Sequence, residues 1–183
     1  MVIEVGETQT KYTVHKAFLT HYSKYFTNAL SGKWKEADGH IILDDIETSV
    51  FNLFINWMYT QTLPYRALDW FNYAEVSTPT NDDIQAANVL HIKLYVFADR
   101  FEVASLRKKL LRQIECYQNL FLTPSAEVIA YAFENLAAKD PVLDVFVEWY
   151  CTNWIPEDYT EEEMDEWQPV SYTHLTLPTN REV

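Results

Sequence analysis

Apolar and polar positions alternate at the start of the chain and then settle into helical spacing. Val2, Ile3 and Val5 run into the polar Gly6-Glu7-Thr8, and Lys11-Tyr12-Thr13-Val14 returns, which predicts a short β-hairpin. Phe18, Leu19 and Tyr22, then Tyr25, Phe26, Ala29 and Leu30 beyond Ser23, recur at helical intervals and predict a helix pair ended by Gly32. His40-Ile41-Ile42-Leu43 reads as a brief strand closed by Asp44-Asp45. Val50, Phe51, Phe54, Ile55, Trp57 and Met58 form the inward stripe of another helix, stopped by Pro64.

Periodicity is lost over 66–81, which contains Ser77-Thr78-Pro79-Thr80-Asn81, so a loop insertion is expected there. Helical spacing resumes with Asp82 and Asp83 in a first turn, where carboxylates favour the positive end of the helix dipole. The stretch from Leu90 to Phe101 is apolar nearly all round and predicts a central buried helix. Ser105 is placed to cap the next helix, with Leu106, Leu110, Ile114 and Tyr117 on one face. Thr123-Pro124 and Asp140-Pro141 each set a capping side chain before a proline at the first helical position. The inward residues of those two helices would be Val128, Ala132 and Phe133, then Leu143, Phe146 and Trp149. Pro156 should end the packed part, and the seven acidic residues between Glu157 and Glu166 read as a solvated tail. Residues Pro169 to Thr179 look like a translated sequencing adaptor and are set aside from fold reasoning, so the natural chain is expected to continue beyond about Gln168. The expected organisation is a domain over 1–118 carrying the 66–81 insertion, then a helical extension over 119–156. An acidic tail over 157–168 and an artefactual tail over 169–183 follow.

Composition narrows the function. Twenty-seven acidic against 14 basic residues give a net charge of −13, which argues against a nucleic acid partner. Three glycines, Gly6, Gly32 and Gly39, cannot build a glycine-rich phosphate cradle. No apolar run approaches the roughly 20 residues of a membrane span, and no signal peptide opens the chain. Cys116 and Cys151 form no disulfide framework, which favours a reducing compartment, the cytoplasm or nucleus.

Four segments, in order and at compatible spacing, resemble the BTB/POZ domain, particularly the acidic BTB proteins of fungi. Tyr12-Thr13-Val14-His15-Lys16 with Leu19 and Ser23-Lys24-Tyr25-Phe26 is similar to the family's F-x-V-H-K-x-x-L-x-x-x-S-x-x-F. Trp34-Lys35-Glu36 with Ile41-Ile42-Leu43-Asp44-Asp45 is similar to its f-x-E and i-x-L-x-D. Val50-Phe51 with Trp57-Met58-Tyr59-Thr60 is similar to F-x-x-f-l-x-W-l-Y-t-g, with Gln61 where glycine is usual. Leu94 to Phe101 with Leu106 is similar to L-Y-v-f-A-d-k-y and its following leucine. Together they cover about Val2 to Gln113. The resemblance implies an α+β fold: helical hairpins flanked by a short three-stranded sheet, here with extra C-terminal helices. The helix and strand that long-form members carry upstream have no counterpart after Met1, so either a short-form member or a gene model truncated at its start is expected.

The resemblance also implies site residues. His15 and Lys16 would line a charged pocket at a dimer interface or peptide-binding groove. The alternative is a packed His15 whose ring nitrogen satisfies a neighbouring backbone group. Trp34-Lys35-Glu36 matches the hydrophobic-x-Glu motif with which BTB adaptors dock a cullin scaffold, Trp34 as the aromatic anchor and Glu36 as the orienting charge. The alternative is a Trp34 folded back onto its own helix pair. Arg107, Lys108, Lys109 and Arg112 read as a solvated helix face, and His91 as a satisfied histidine at the core edge.

The expected function is a protein–protein interaction module that forms homodimers and recruits an unknown protein cargo, with a role as cullin-based ubiquitin ligase adaptor. A homotypic scaffold or transcription-related BTB protein without a ligase role is the alternative. No catalytic residue, cofactor or metal is expected. A small metal-dependent hydrolase, the competing class, would need His15, His40, His91 or the cysteines to converge with carboxylates.

Overall fold

The computed structural model describes residues 1–31, 40–64, 69, 70, 73, 81–118 and 124–153. It opens on strands β1 (Val2–Val5) and β2 (Thr10–Thr13), paired antiparallel with Val2 opposite Thr13 and Val5 opposite Thr10. Gly6 makes the turn possible: its φ is +73°, a left-handed conformation open to glycine without penalty. Its carbonyl accepts the Gln9 N–H at 2.9 Å. Strand β3 (His40–Leu43) adds parallel to the other side of β1, with Ile3 opposite Ile41 and Val5 opposite Leu43. The sheet order is therefore β2-β1-β3. Ile3, Val5, Ile41 and Leu43 turn inward and are buried.

Between β2 and β3 lie helices α1 (Lys16–Tyr22) and α2 (Lys24–Ala29). Ser23 joins them, and its position explains the Ser-x-x-Phe spacing. The Ser23 hydroxyl accepts the Phe26 N–H at 3.0 Å, capping α2, and donates to the Phe101 carbonyl at 2.6 Å. That places the Phe26 ring parallel to Phe101, 5.4 Å between centroids. One small hydroxyl thus starts a helix and fastens it to the core.

Helix α3 (Thr48–Thr60) packs its aromatic face against the long helix α4 (Asn81–Arg100), Phe54 meeting Phe97 at 4.9 Å. Asp82 and Asp83 fall in the first turn of α4. The stretch from Val89 to Ala98 is buried apart from the half-buried Lys93 and Val96, as its apolar pattern predicts, while Asp99 and Arg100 are exposed. Of the residues expected to form a loop over 66–81, Asp69, Trp70, Tyr73 and Asn81 are described, and all four are helical. Trp70 is buried, its ring stacked on His91 with centroids 4.5 Å apart.

Helix α5 (Ala104–Gln118) starts two residues earlier than a Ser105 cap would allow. Val103 holds the cap position, its carbonyl accepting the Arg107 N–H at 3.0 Å. Val103 is fully buried, so packing outweighs the capping preference of the serine. Leu106, Leu110 and Ile114 face the core as expected. Helix α6 (Ala126–Asn135) is capped by Ser125, which accepts the Val128 N–H, so Pro124 lies ahead of the cap and Thr123 outside the described residues. Helix α7 (Pro141–Asn153) begins as the Asp140-Pro141 pair predicts, with Asp140 Oδ1 accepting the Val142 N–H at 3.0 Å. Pro156, the acidic run and the residues after Gln168 lie outside the described residues.

Candidate functional site

Two residues far apart in the chain, His15 and Tyr59, meet on one surface. His15 stands at the start of α1, and its backbone N–H donates to the Tyr59 hydroxyl at 3.2 Å. The same hydroxyl lies 2.8 Å from His15 Nδ1. The partner of the His15 ring is therefore a side chain from the last turn of α3, not the backbone group expected of a packed histidine. His15 is exposed rather than packed. Phe18, one turn along α1, completes the group, with its centroid 6.0 Å from His15 and 5.1 Å from Tyr59. Phe18 is 39% exposed and Tyr59 42%.

Lys16 does not point its charge into this aromatic group. Its Nζ donates to the Leu30 carbonyl at 3.1 Å, across the helical hairpin at the C-terminal end of α2. A cation there complements the negative end of the helix dipole. His15 and Lys16, adjacent in sequence, thus diverge: one faces α3 and the other α2. The second sequence-predicted site, Trp34-Lys35-Glu36, lies outside the described residues, between Ser31 and His40.

His40 and His91 are apart from this surface. On β1, Glu4 is 8% exposed and sits between Lys11, at 3.3 Å, and His40, at 3.2 Å. Burial works against the Glu4 charge, but hydrogen bonds from Lys11 and His40 outweigh it and hold the carboxyl below its ordinary range. His91 lies inside α4 beneath Trp70. Burial drives its pKa down to about 3, opposed by a hydrogen bond to the Leu110 backbone, so the ring is neutral at physiological pH. Among the described residues, no group of three or more His, Cys, Asp and Glu side chains is arranged to hold a metal ion. Cys116 and Cys151 are both exposed free thiols.

The basic run on α5 is not the uniformly solvated face its sequence suggests. Lys108 and Arg112 are exposed. Arg107 instead reaches the buried carboxylate of Asp140 and lies 3.1 Å from Asp99. Tyr95 donates its hydroxyl to Asp140 Oδ1 at 2.8 Å, and burial, followed by the Asp140 carboxylate, raises the Tyr95 pKa. Lys109 donates to the Gln61 carbonyl at 2.7 Å. An acceptor more than thirty residues away in sequence is invisible to helical periodicity, which assigns each cation only to a face. Sequence reasoning also missed Phe18 and Tyr59 as surface residues.

A family model described as the BTB/POZ domain matches residues 1–115. No curated protein matches the chain. No helix among the described residues is long and apolar enough to cross a membrane.

Proposed function

Because the chain belongs to the BTB/POZ domain family, whose members are protein–protein interaction modules, we propose that it pairs as a two-fold dimer and recruits a second protein. The observation that carries the reading is the exposed aromatic group of Phe18, Tyr59 and His15. Aromatic side chains bury about 150–250 Å² each in full, and Phe18 and Tyr59 leave about two-fifths of theirs for a partner to cover. A two-fold axis brings each such patch against its own copy. The charge of −13 leaves the module unsuited to nucleic acid. The cytoplasm or nucleus is the proposed setting, in keeping with the two free thiols.

Light scattering at micromolar concentration tests the pairing. The chain should run at twice 21.5 kDa, and Phe18→Glu should return it to 21.5 kDa with its melting temperature nearly unchanged. A 21.5 kDa species for the unmodified chain would remove the dimer.

We further propose that Trp34-Lys35-Glu36 docks a cullin scaffold, making the chain a ubiquitin ligase adaptor for an unidentified cargo. The support is the motif and its place between α2 and β3. Trp34→Ala should weaken cullin binding by about 2 kcal/mol, roughly thirtyfold, through loss of a central aromatic anchor. Its stability should change by only about 0.5 kcal/mol, as for other exposed residues. A loss of about 3–5 kcal/mol of stability would place Trp34 in the core instead. Absence of cullin binding by the unmodified chain leaves a homotypic scaffold.

A further inference from the structure

A cleft of about 880 Å³ opens away from the aromatic group, between the β1–β2 turn, the β3–α3 connection and the middle of α4. That is within the roughly 300–1,000 Å³ typical of ligand sites. Its floor includes Ile46, Val89 and Leu90, and its walls carry Glu7, Asp44, Asp45, Glu47 and, from the first turn of α6, Glu127. Two of these five carboxylates are already neutralised. Glu47 pairs with Lys93 at 2.6 Å, and Asp45 pairs with Arg100. Glu7, Asp44 and Glu127 are exposed and have no ion pair among the described residues. The cleft is therefore an apolar floor with a negative rim. Thr48 and Ser49 also line it, and they open α3, whose first turn has no side-chain cap. Early N–H groups of a helix lack intrahelical acceptors and can bind a peptide carbonyl.

We infer that this cleft receives a short basic peptide segment of a partner protein, one that alternates apolar anchors with Lys or Arg. The sign of the rim excludes nucleic acids and anionic lipid surfaces. A metal ion needs converging ligands, and the described residues offer no such group. A simple polycation would satisfy the rim but leave the half-buried Ile46 and Tyr73, which also line the cleft, facing water. Only a chain carrying both charges and apolar side chains matches floor and rim together, with its backbone carbonyls presented to the start of α3. The inference rests on residues other than the self-association surface, so either reading can fail without the other.

Fluorescence anisotropy on the full chain at physiological salt decides it, with fluorescein-labelled Arg-Leu-Arg-Leu-Arg-Leu as probe and hexa-arginine and spermine as competitors. The alternating peptide should bind about tenfold more tightly than hexa-arginine, because only it fills the apolar floor. Asp44→Lys with Glu127→Lys should weaken binding about tenfold, whereas Asp144→Lys with Glu148→Lys, the same charge change on α7, should stay within about twofold. If the rim reversal lowers the melting temperature, Asp44→Asn with Glu127→Gln takes its place, with about threefold weakening expected. Undetectable binding of the alternating peptide, equal binding of hexa-arginine or spermine, or equal weakening by the α7 reversal would each overturn the inference.

Discussion

At the residue scale, Gln61 shows how a departure from a family pattern is accommodated. It closes α3 in the left-handed conformation, φ +58°, where a side chain other than glycine's costs about 1 kcal/mol or more. The Gln61 side chain offsets that cost locally. Its Nε2 donates to the carbonyls of Trp57 and Met58, at 3.1 and 3.2 Å; Trp57 already takes the Gln61 backbone N–H at 2.7 Å, whereas the Met58 carbonyl lies among those a helix end leaves open. Gln61→Ala keeps the strain and loses the bonds, so it should destabilise the fold by about 1 kcal/mol. Gln61→Gly loses the same bonds but relieves the strain, so it should fall close to the parent. Urea unfolding of the three proteins checks this, and equal stabilities for the Ala and Gly variants would remove the strain argument. The sequence marked the position, since glycine is usual there. It could not show that the amide reaches back one turn, because that depends on a side-chain rotamer.

At the element scale, starts and stops were legible where a side chain alone decides them and illegible where packing competes. Asp140-Pro141 begins α7 as read, and β3 runs from His40 to Leu43 as read. Ser105 lost its cap to the buried Val103, and Ser125 caps α6 although Thr123-Pro124 carried the stronger pairwise signal. Asp140 does more than cap. Its carboxylate, 4% exposed, takes the Tyr95 hydroxyl from α4 and the Arg107 guanidinium from α5 while holding the first turn of α7. Three helices therefore converge on one charged group. Asp140→Ala removes a cap worth about 1 kcal/mol, leaves the Tyr95 hydroxyl without its acceptor and leaves Arg107 with Asp99 alone, for a total of about 3 kcal/mol. Asp140→Asn keeps the cap oxygen and should cost roughly half as much. Chemical denaturation of both variants gives the comparison. An alanine variant within about 1 kcal/mol of the parent would show that the convergence contributes little beyond the cap.

At the scale of the whole molecule, the hydrophobic core does not stop where the family match does. Residues 1–115 carry the match, yet Val128, Ala132, Leu143 and Phe146 belong to the same buried cluster as Ile3 and Trp57. The elements of that core were legible because burial imposes a period on the sequence. The interaction surface was not, because a ring that waits for a partner has the composition of a ring that has found one: Phe18 reads as inward by spacing and stands 39% exposed. His91 gives the core a pH dependence whose sign follows from its position. Its folded pKa of about 3 lies below the unfolded value of 6.5, so the unfolded chain takes up a proton that the folded chain refuses. The stability this contributes is complete above pH 6.5 and is lost as pH falls toward 3, at up to roughly 1.4 kcal/mol per pH unit. His91→Phe keeps a ring against Trp70 and removes the titration. Between pH 7 and 5 the parent should therefore lose about 2 kcal/mol more than the variant, whatever their difference at pH 7. The Glu4 carboxyl, held below the ordinary 4.5, loses its own contribution only at more acid pH and leaves this window clear. Urea titrations in half-unit steps give the two slopes, and parallel lines would mean that His91 takes up its proton in the folded state as readily as in the unfolded one.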